Sequence, residues 1–417
     1  MCIRDSPSSL HAFVFVENHK MLDVVNGEGI GFVEEDNRTK AKESLAKGEG
    51  LKEGTVGREA QFNLITRNAQ RKTVYNEQDR VTGEIKDEQE QECVTELRID
   101  DNKDGIYNIS YFPRVQGTIK LLVKVNGQHI HGSPFTVIGK PFQVKPVLCI
   151  GKQGSGEGML DYPMGVAVTA KDEVVVADNQ NHRVQVFSDA TFLRSFGHKG
   201  KNAGEFRNPT GIAIDKDRKI LVSEYCNHRV QIFSWKGRHL GSFGGKGSLD
   251  SQLFAPWGLS LDSTGNVIVA DTGNKLIKIF TPDGKFLMKI GGQGSLRFPV
   301  HCVQCGEYFI VSDGNEHCIK VFNSEGNLQY KFGKKGKGDG EFNNPRFLSV
   351  TRSKHLLVCD RENHRIQVFE LDGKFVGKFG TSGSKLGDFN VPYSAAVLSN
   401  DQIVVCDKDN HRIQIFQ

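Results

Sequence analysis

The decapeptide Asp360-Arg361-Glu362-Asn363-His364-Arg365-Ile366-Gln367-Val368-Phe369 decides the fold of this chain, because closely similar decapeptides recur along the sequence. Three of them lie at 178–187, 224–233 and 407–416, and more divergent versions start at Asp271 and Asp313. The six acidic residues that open these segments lie 42 to 47 residues apart. A unit that returns at such an interval predicts a repeat architecture.

Each repeat contains four short segments with the patterning of β-strands. A Phe-x-x-Pro-x-Gly motif leads into an alternating strand at 206–214, and a second strand ends on the acid at 267–271. A third strand follows the Asn-His-Arg triplet at 229–233, and a fourth ends in Phe-Gly at 243–244. Four strands in roughly 45 residues are typical of one propeller blade. Residues 141–417 are therefore predicted to form a six-bladed β-propeller.

The ends of this region predict how the ring closes. The sixth repeat has only three of its strands before Gln417, whereas a segment at about 147–151 resembles a fourth strand. We expect this N-terminal strand to pair into the last blade, which removes the open sheet edge.

The preceding residues, 44–140, have an all-β pattern of a different kind. Segments 60–64, 107–111 and 119–125 alternate polar and apolar residues, and the last runs into Asn126-Gly127, a strong hairpin signal. This length and pattern predict an immunoglobulin-like β-sandwich. Residues 1–43 show no strong periodicity and are predicted to be a linker or the remnant of a longer N-terminal region.

Composition restricts the function classes. No run approaches 18 apolar residues, so no membrane segment is expected, and the N-terminus lacks a signal-peptide pattern. The nine cysteines are scattered, which favours reduced thiols and a cytoplasmic location. The net charge is +4, with the basic excess in the C-terminal part, and this is weak support for a polyanionic partner.

Several motifs resemble known families. The segments Asp104-Gly105-x-Tyr107 and Gly132-Ser133-Pro134-Phe135 resemble a filamin-type repeat. The Asn-His-Arg triplets that start at Asn181, Asn227, Asn363 and Asn410 resemble the NHL repeat. A filamin-type repeat followed by six NHL repeats resembles the C-terminal half of the tripartite-motif (TRIM) NHL proteins.

This resemblance implies the recognition part of an E3 ubiquitin ligase, with protein partners or ubiquitination substrates and RNA as expected ligands. Ligase activity is implied only for a full-length relative with a RING domain. Only Cys2 and Cys93 precede residue 141, so no RING, B-box or coiled coil is expected here. We therefore expect no catalytic activity and no cofactor in this segment, with zinc confined to the family's RING and B-box. Oligomerisation is expected to depend on the coiled coil.

The repeated triplet has two interpretations, as ligands or bases on one face, or as the joints of each blade. In the second, the acid caps the turn, the asparagine supports its backbone, and histidine and arginine bond between blades. Because nearly every blade repeats them, these residues should serve what every blade shares. We predict a structural role for Asp178, His182, Arg183, His228, Arg229, Asp271, Asp360, His364, Arg365, Asp407, His411 and Arg412.

Residues that differ between repeats are better candidates for binding. Cations and aromatic rings on one face suit single-stranded or hairpin RNA, through phosphate attraction and base stacking. Acidic neighbours such as Asp339 and Glu362 dilute this charge, and a solvated lysine-rich loop is the alternative. The predicted RNA- or partner-binding face comprises Lys199, Lys201, Arg207, Tyr225, Trp257, Arg346, Arg361, Tyr393 and Lys408.

Two further functions are less favoured. Cys302, Cys305 and Cys318, with His301 and His317, have the residue types of a zinc site, but they fall on separate strands and loops, so buried thiols are favoured and no metal is predicted. A propeller enzyme of the lyase or lactonase type needs several histidines around the channel, and the inner strands begin with one. A protein-only scaffold or adaptor is the main alternative to RNA binding.

Overall fold

The computed structural model describes residues 37–292 and 294–417, so residues 1–36 of the predicted N-terminal segment lie outside the described residues. The chain divides into two compact units between Phe142 and Gln143. The described residues form β-strands joined by turns and short 3-10 segments. The predicted all-β class is confirmed.

The first unit is a sandwich of two antiparallel-rich sheets. One sheet has the strand order Leu45–Lys47, Ala60–Ile65, Ile106–Pro113 and Val94–Asp101; the other has the order Glu53–Thr55, Phe135–Lys140, Gly117–Val125 and Val81–Lys86, with Gln128–His129 beside Gly117–Val125. Two 3-10 turns, Ala41–Glu43 and Glu49–Leu51, accompany the first strands. The immunoglobulin-like sandwich is as predicted.

Alternation along the strands builds the core of this unit. Tyr107 and Tyr111 are buried on the inner face of one sheet, as predicted, and pack with the inward residues of the other sheet such as Leu121. Asn126 and Gly127 both have positive φ, 53° and 77°, which is the backbone of a type I′ turn. The residues that flank this turn, Val125 and Gln128, pair directly with each other, which confirms the predicted hairpin.

The second unit consists of six four-stranded antiparallel sheets. We number these blades 1 to 6 and give their strands from the channel outward. The strands are Pro163–Val168, Val174–Asp178, Arg183–Ser188 and Thr191–Phe196 in blade 1; Pro209–Ile214, Ile220–Glu224, Arg229–Phe233 and His239–Gly244 in blade 2; Leu259–Leu261, Val267–Asp271, Leu276–Phe280 and Phe286–Gly291 in blade 3; Pro299–Cys305, Tyr308–Asp313, Cys318–Phe322 and Leu328–Phe332 in blade 4; Pro345–Val350, Leu356–Asp360, Arg365–Phe369 and Phe375–Phe379 in blade 5; Pro392–Val397, Ile403–Asp407, Arg412–Phe416 and Pro146–Ile150 in blade 6.

The last blade closes the ring as the sequence predicted. Pro146–Ile150 pairs antiparallel with Arg412–Phe416, with Cys149 opposite Gln414. Lys145 and Gln417 extend the pairing by exchanging two backbone hydrogen bonds of 2.8 Å. Closure satisfies backbone groups that an open outer edge would expose to pairing with another chain.

Phenylalanine rings connect successive blades. The Phe-Gly motif of one blade places Phe196 against Phe233 of the next blade, with ring centroids 5.0 Å apart. Phe206, from the Phe-x-x-Pro motif, packs on the same ring at 5.2 Å. Each fully buried ring contributes roughly 1.5–3 kcal/mol. Gly197 has a φ of 90° and would place a Cβ 2.3 Å from the Phe206 ring, so the motif requires glycine there.

The repeated histidines form a second set of joints between blades. Each accepts, at Nδ1, a backbone N–H from the loop that leads into the next blade, and His411 returns the series to blade 1. The pairs are His182 with Asn208 (3.3 Å), His228 with Ala255 (3.0 Å), His317 with Asn344 (2.9 Å), His364 with Val391 (3.3 Å) and His411 with Tyr162 (3.2 Å). Blade 3 has Lys275 at this position. Accepting this bond requires neutral imidazole.

Strand register defines two faces of the propeller. Pro163 pairs with Asp178 at one end of blade 1, and Val168 pairs with Val174 at the other. The loops between blades and the acid-to-histidine turns therefore emerge together, and we call this the upper face. The lower face carries the loops that join first to second and third to fourth strands.

His301, in the innermost strand of blade 4, bridges three blades. Its Nδ1 accepts a hydrogen bond from the Leu348 N–H of blade 5 (3.3 Å), and its Nε2–H donates to the Leu259 carbonyl of blade 3 (3.2 Å). The ring stacks on Phe347 with centroids 4.5 Å apart. Burial lowers the pKa of His301 to about 4, so the ring stays neutral near pH 7.

We expect the free energy of unfolding to fall as the pH drops below about 6.5, the ordinary pKa of an unfolded histidine. Burial is the main cause that lowers the pKa of His182, His228, His301 and His317 in the folded chain. Below about pH 6.5 the unfolded chain therefore binds more protons than the folded chain, and acid favours unfolding. Thermal melts at about pH 7.5 and about pH 5 measure the loss as a decrease in Tm.

The variant His301→Gln isolates the contribution of the bridging ring, because an amide donates and accepts without titrating. Its Tm should depend less steeply on pH than that of the unaltered chain. Equal pH dependence in both chains would contradict the assignment.

Candidate functional site: the upper face of the propeller

Each blade contains a buried acidic residue that accepts hydrogen bonds from several donors. In blade 1, Asp178 accepts the Asp161 N–H at Oδ1 (2.7 Å). Its Oδ2 accepts Asn181 Nδ2 (2.9 Å), Arg183 Nε (2.8 Å) and Gln185 Nε2 (3.0 Å). The sequence interpretation placed the acid as a cap of its own turn; the structure instead bonds it to the loop that enters the blade.

The arginine of the repeated triplet also hydrogen-bonds the loop that enters the blade. Arg183 Nη1 donates to the Ser155 carbonyl (2.9 Å), and Nη2 donates to the carbonyls of Gly156 (2.7 Å) and Met159 (2.8 Å). Each of its three nitrogens is engaged, and four of its five N–H donors bond within the blade, so the residue serves the blade. The same acid–arginine pair occurs as Glu224–Arg229, Asp360–Arg365 and Asp407–Arg412, at 2.6–2.8 Å.

Burial raises the pKa of Asp178, Asp360 and Asp407, against the stabilising effect of their hydrogen bonds and arginines. Such a carboxylate is costly in the interior, and the cost is offset because every oxygen has donors. The acids therefore orient the loops rather than providing reactive groups.

Blades 3 and 4 make the same joint with different residues. Leu276 and Cys318 stand where the other blades have arginine, and lysine replaces the glutamine two positions later. Lys278 Nζ lies 2.9 Å from Asp271 and donates to the carbonyls of Leu249 (2.8 Å) and Gln252 (2.6 Å). Lys320 reaches Asp313 at 2.9 Å in blade 4. The positive charge has moved by two residues, and the buried ion pair is retained.

The residues that differ most between blades meet at the centre of the upper face. A proline begins the inner strand of every blade except blade 3, where Pro256 precedes it by three residues. The residue after this proline is Met164, Thr210, Trp257, Val300, Arg346 or Tyr393 in blades 1 to 6. The Trp257 and Tyr393 rings are nearly parallel, 22° apart, with centroids separated by 6.4 Å. The Arg346 guanidinium lies 5.2 Å from the Trp257 ring, 5.5 Å from the Tyr393 ring and 5.6 Å from the Phe298 ring. We call Trp257, Phe298, Arg346, Arg361 and Tyr393 the Arg346 cluster.

The prediction that Arg346 and Tyr393 are exposed is wrong. Arg346 is 6% exposed and Tyr393 is 2% exposed, while Trp257 is half-buried. The reason is that these large side chains fill the narrow centre of the ring and pack on one another. Only a small group could touch them.

Two other predicted cations are already paired with acids. Arg361 Nη1 lies 2.9 Å from Glu362 Oε1, and Lys408 Nζ lies 2.6 Å from Asp409 Oδ1. Lys408 also sits 4.5 Å from the centre of the Tyr162 ring. These pairs reduce the positive potential around the cluster.

The remaining predicted residues are exposed. Lys199, Lys201 and Arg207 lie on the loop that enters blade 2, as do Lys334, Lys335 and Lys337 on the loop that enters blade 5. Tyr225 is 38% exposed and contacts the Trp257 ring edge-on, with centroids 5.0 Å apart. The predicted face therefore separates into a buried centre and an exposed basic rim.

The cysteines of blade 4 occupy distant places. Cys305 pairs with Tyr308 at the lower end of the second strand, whereas Cys318 pairs with Asp313 at its upper end. Five residue steps of about 3.3 Å separate these ends, too far for one ion. Burial raises the pKa of Cys318 to about 11. Among the described residues, no group of three His, Cys, Asp or Glu side chains is arranged to hold a metal.

The channel below the Arg346 cluster is lined mainly by apolar side chains. Its cavity of about 320 Å³ is bounded by inner-strand residues such as Val166, Ile212 and Leu259. His301 is the titratable residue of this lining, and both its ring nitrogens are bonded to backbone. In the part of the chain that the structure covers, no helix has the length and apolar character to cross a membrane.

Comparison with known families assigns both units. The filamin/ABP280 repeat matches residues 38–136. The NHL repeat matches residues 160–187, 206–233, 255–280, 342–369 and 389–416. Blade 4, with its Glu316-His317-Cys318 sequence and displaced lysine, falls between the matched segments.

Similar proteins carry names from the same family. E3 ubiquitin-protein ligase TRIM71 of Rattus norvegicus is 39% identical over 94 residues, which cover 21% of this chain and 11% of the relative. Protein lin-41 of Caenorhabditis elegans is 36% identical over 106 residues (24% and 9%), and mouse tripartite motif-containing protein 3 is 32% identical over 196 residues (36% and 26%). The matched segments thus span about a quarter or less of these relatives.

Solved structures support the fold. A protein of unknown function from Bacteroides thetaiotaomicron superposes with a TM-score of 0.61 at 17% identity, covering 91% of this chain and 97% of that one. An auxiliary nutrient binding protein from Bacteroides ovatus gives a TM-score of 0.51 at 14% identity, covering 88% and 95%. At this identity the likeness concerns architecture alone.

The fold and repeats define an NHL-type propeller preceded by a filamin-type sandwich. The chain contains a filamin/ABP280 repeat and NHL repeats, and in this part it is similar to the TRIM-NHL proteins TRIM71 and lin-41. Sequence reasoning missed Lys278 and Lys320, although aligning the repeats shows each lysine two residues after a lost arginine. It also missed Phe298 and Asn344, whose roles depend on packing around the channel.

We expect Lys278→Met to lower the free energy of unfolding by roughly 3–5 kcal/mol, because it leaves the buried Asp271 carboxylate without a cation. The double variant Leu276→Arg with Lys278→Gln rebuilds the arrangement of blade 1 and should recover most of this loss. Urea denaturation of both variants measures the difference.

Lys285→Met, an identical substitution at an exposed lysine, is the matched control and should change stability little. A double variant as unstable as the single one would show that arginine and lysine are not exchangeable between these positions.

Proposed function

We propose that this chain is the partner-recognition part of a TRIM-NHL-type E3 ubiquitin ligase and that the upper face of its propeller docks the partner. The observation that carries the proposal is the division of roles in the ring. Repeated residues have most of their polar atoms engaged within and between blades, whereas the variable residues Trp257, Arg346 and Tyr393 gather at one central place. Ligase activity would reside in a RING domain of the longer protein, and the filamin-type unit would act as a spacer.

The central residues favour a protein partner. Tryptophan, tyrosine and arginine are the residue types that contribute most to protein–protein binding when they cluster in a desolvated centre. Here Tyr225 and Trp257 present aromatic edges, and acids beside Arg361 and Lys408 restrict the positive potential. A partner surface with a small projecting group matches this arrangement better than a uniformly charged strand does.

RNA is the second candidate ligand, and the basic rim favours it. Within the described chain, Lys199, Lys201 and Arg207 are exposed and have no acid within ion-pair distance. Such cations attract phosphates and release counterions on binding. An RNA stem-loop resting on the rim is compatible with a buried centre.

We propose a cytoplasmic location. The eight cysteines among the described residues are all free thiols, and reducing compartments keep thiols in this state.

Replacing Tyr225 with alanine should remove the protein partner while the fold is kept. Tyr308→Ala is the matched control, because Tyr308 is 46% exposed at the lower end of blade 4. The full chain and both variants are immobilised and incubated with cell lysate, and bound proteins are quantified by mass spectrometry. Loss of at least one protein on Tyr225→Ala alone is expected; equal binding to all three chains would contradict docking on the upper face.

The variant Lys199→Glu, Lys201→Glu and Arg207→Glu should bind a pool of RNA hairpins about tenfold or more weakly than the unaltered chain, with a shallower salt dependence. Filter binding of the full chain at several salt concentrations measures this. Lys171→Glu, Lys236→Glu and Arg238→Glu make the same charge change on the lower face and should retain affinity. An equal loss of RNA affinity in both variants would show that binding is non-specific attraction of a polyanion, and RNA would no longer be a candidate ligand.

A further inference from the structure

The Arg346 cluster contains hydrogen-bond donors that the described chain does not satisfy. Arg346 Nε and Nη1 and Arg361 Nε are buried without a hydrogen-bond partner, while Trp257 Nε1 and the Tyr393 hydroxyl have at most each other. Buried polar groups in folded proteins are nearly always paired, and each unpaired one costs about 1–3 kcal/mol. Three such nitrogens on two neighbouring guanidinium groups therefore point to a missing acceptor.

The donors are close enough to share one ligand. With the side-chain amide of Asn344 turned so that its oxygen faces the arginines, Oδ1 accepts both Arg346 Nη2 (3.2 Å) and Arg361 Nη1 (3.1 Å), and the two guanidinium groups lie side by side. The Arg346 guanidinium lies to one side of the Trp257 and Tyr393 rings, 5.2 Å and 5.5 Å from their centres. The cluster draws on blades 3, 4, 5 and 6, so it exists only in the closed ring.

Charge around the cluster specifies the ligand further. Arg346, Arg361 and Lys408 supply three positive charges, while Glu362 and Asp409 pair with the last two. Among the described residues Arg346 has no acid within ion-pair distance: its neighbours are the Asn344 amide oxygen, the Arg361 guanidinium and aromatic rings, and the Glu362 charge acts on it from farther away. One positive charge is left in a mainly apolar surrounding, and a single negative charge balances it.

We propose that the Arg346 cluster binds one carboxylate group of a protein partner. This proposal rests on the proposed docking of a partner at the upper face. A carboxylate is planar, carries one negative charge and accepts several hydrogen bonds at once. It also stands at the tip of a side chain or at the end of a chain. A terminal group of this size fits beside side chains that are more than nine-tenths buried.

A phosphodiester of RNA fits the same place less well. It lies within a chain and carries substituents on two sides, whereas Arg346 and Tyr393 are reachable by a small group only. The exposed lysines of the rim are the places where an RNA backbone would bind first.

The two tryptophans of the chain, Trp257 and Trp235, allow a direct test, because each gives one indole signal in a ¹H–¹⁵N spectrum. Trp235 lies on a lower-face loop between the guanidinium groups of Arg194 and Arg218, at 4.3 Å and 3.9 Å, and serves as an internal control. The ¹⁵N-labelled full chain is titrated with N-acetylphenylalanine, which has a chain-end carboxylate, and with N-acetylglutamic acid α-amide, which has a side-chain carboxylate. N-acetylphenylalanine amide is the uncharged control.

Saturable shifts of the Trp257 indole signal by one or both acids, without shifts by the amide or at Trp235, are expected and identify the source of the carboxylate. Arg346→Gln should weaken the response at least about tenfold. Arg238→Gln, an exposed matched control, should leave it unchanged. The Trp235 signal reports whether either variant has retained its fold.

Equal shifts by acid and amide, or none by either, would overturn the carboxylate proposal. A shift produced by a single-stranded uridine oligonucleotide, but not by the acids, would overturn it in favour of nucleic acid. These outcomes differ from failure of the proposed function, which appears as unchanged partner binding by Tyr225→Ala.

Discussion

The buried acid of each blade is the constraint on which the propeller depends. In blade 1, one Asp178 oxygen holds the incoming loop by its backbone N–H, and the other holds Arg183, whose remaining nitrogens tie the carbonyls of the same loop. A buried ion pair adds little net stability, but a wrongly placed loop leaves a buried charge unpaired. The free-energy cost of that unpaired charge favours a single geometry of the loop. The histidine joints and phenylalanine contacts then set each blade against the next.

This constraint explains which residues are free to vary. The acid may pair with arginine or, in blades 3 and 4, with lysine two positions later, provided that one buried cation remains. The residue after the proline that leads into each inner strand takes no part in this ion pair, and its identity varies between blades from methionine to arginine. Recognition can therefore change at the centre of the upper face without altering the frame that supports it.

Sequence periodicity was sufficient to predict the six blades, the closing strand and the sandwich, because repeated patterns and turn residues act locally. It was not sufficient to predict exposure at the centre of the ring. Arg346 and Tyr393 read as surface residues beside a loop, yet five other inner strands bring further side chains to the same axis and bury them. Pairing of Arg361 with Glu362 likewise depends on side-chain direction within a 3-10 turn, which composition does not reveal.

In the function proposed above, the variable centre of the upper face recognises the partner and the repeated motif does not. Amide hydrogen exchange of the full chain, measured with and without a captured partner, distinguishes the two. Slower exchange is expected in segments 344–347 and 391–394 and around Tyr225 when the partner is bound. Slower exchange confined to the lower-face loops 215–219, 262–266 and 351–355, or to residues 44–140, would contradict this proposal.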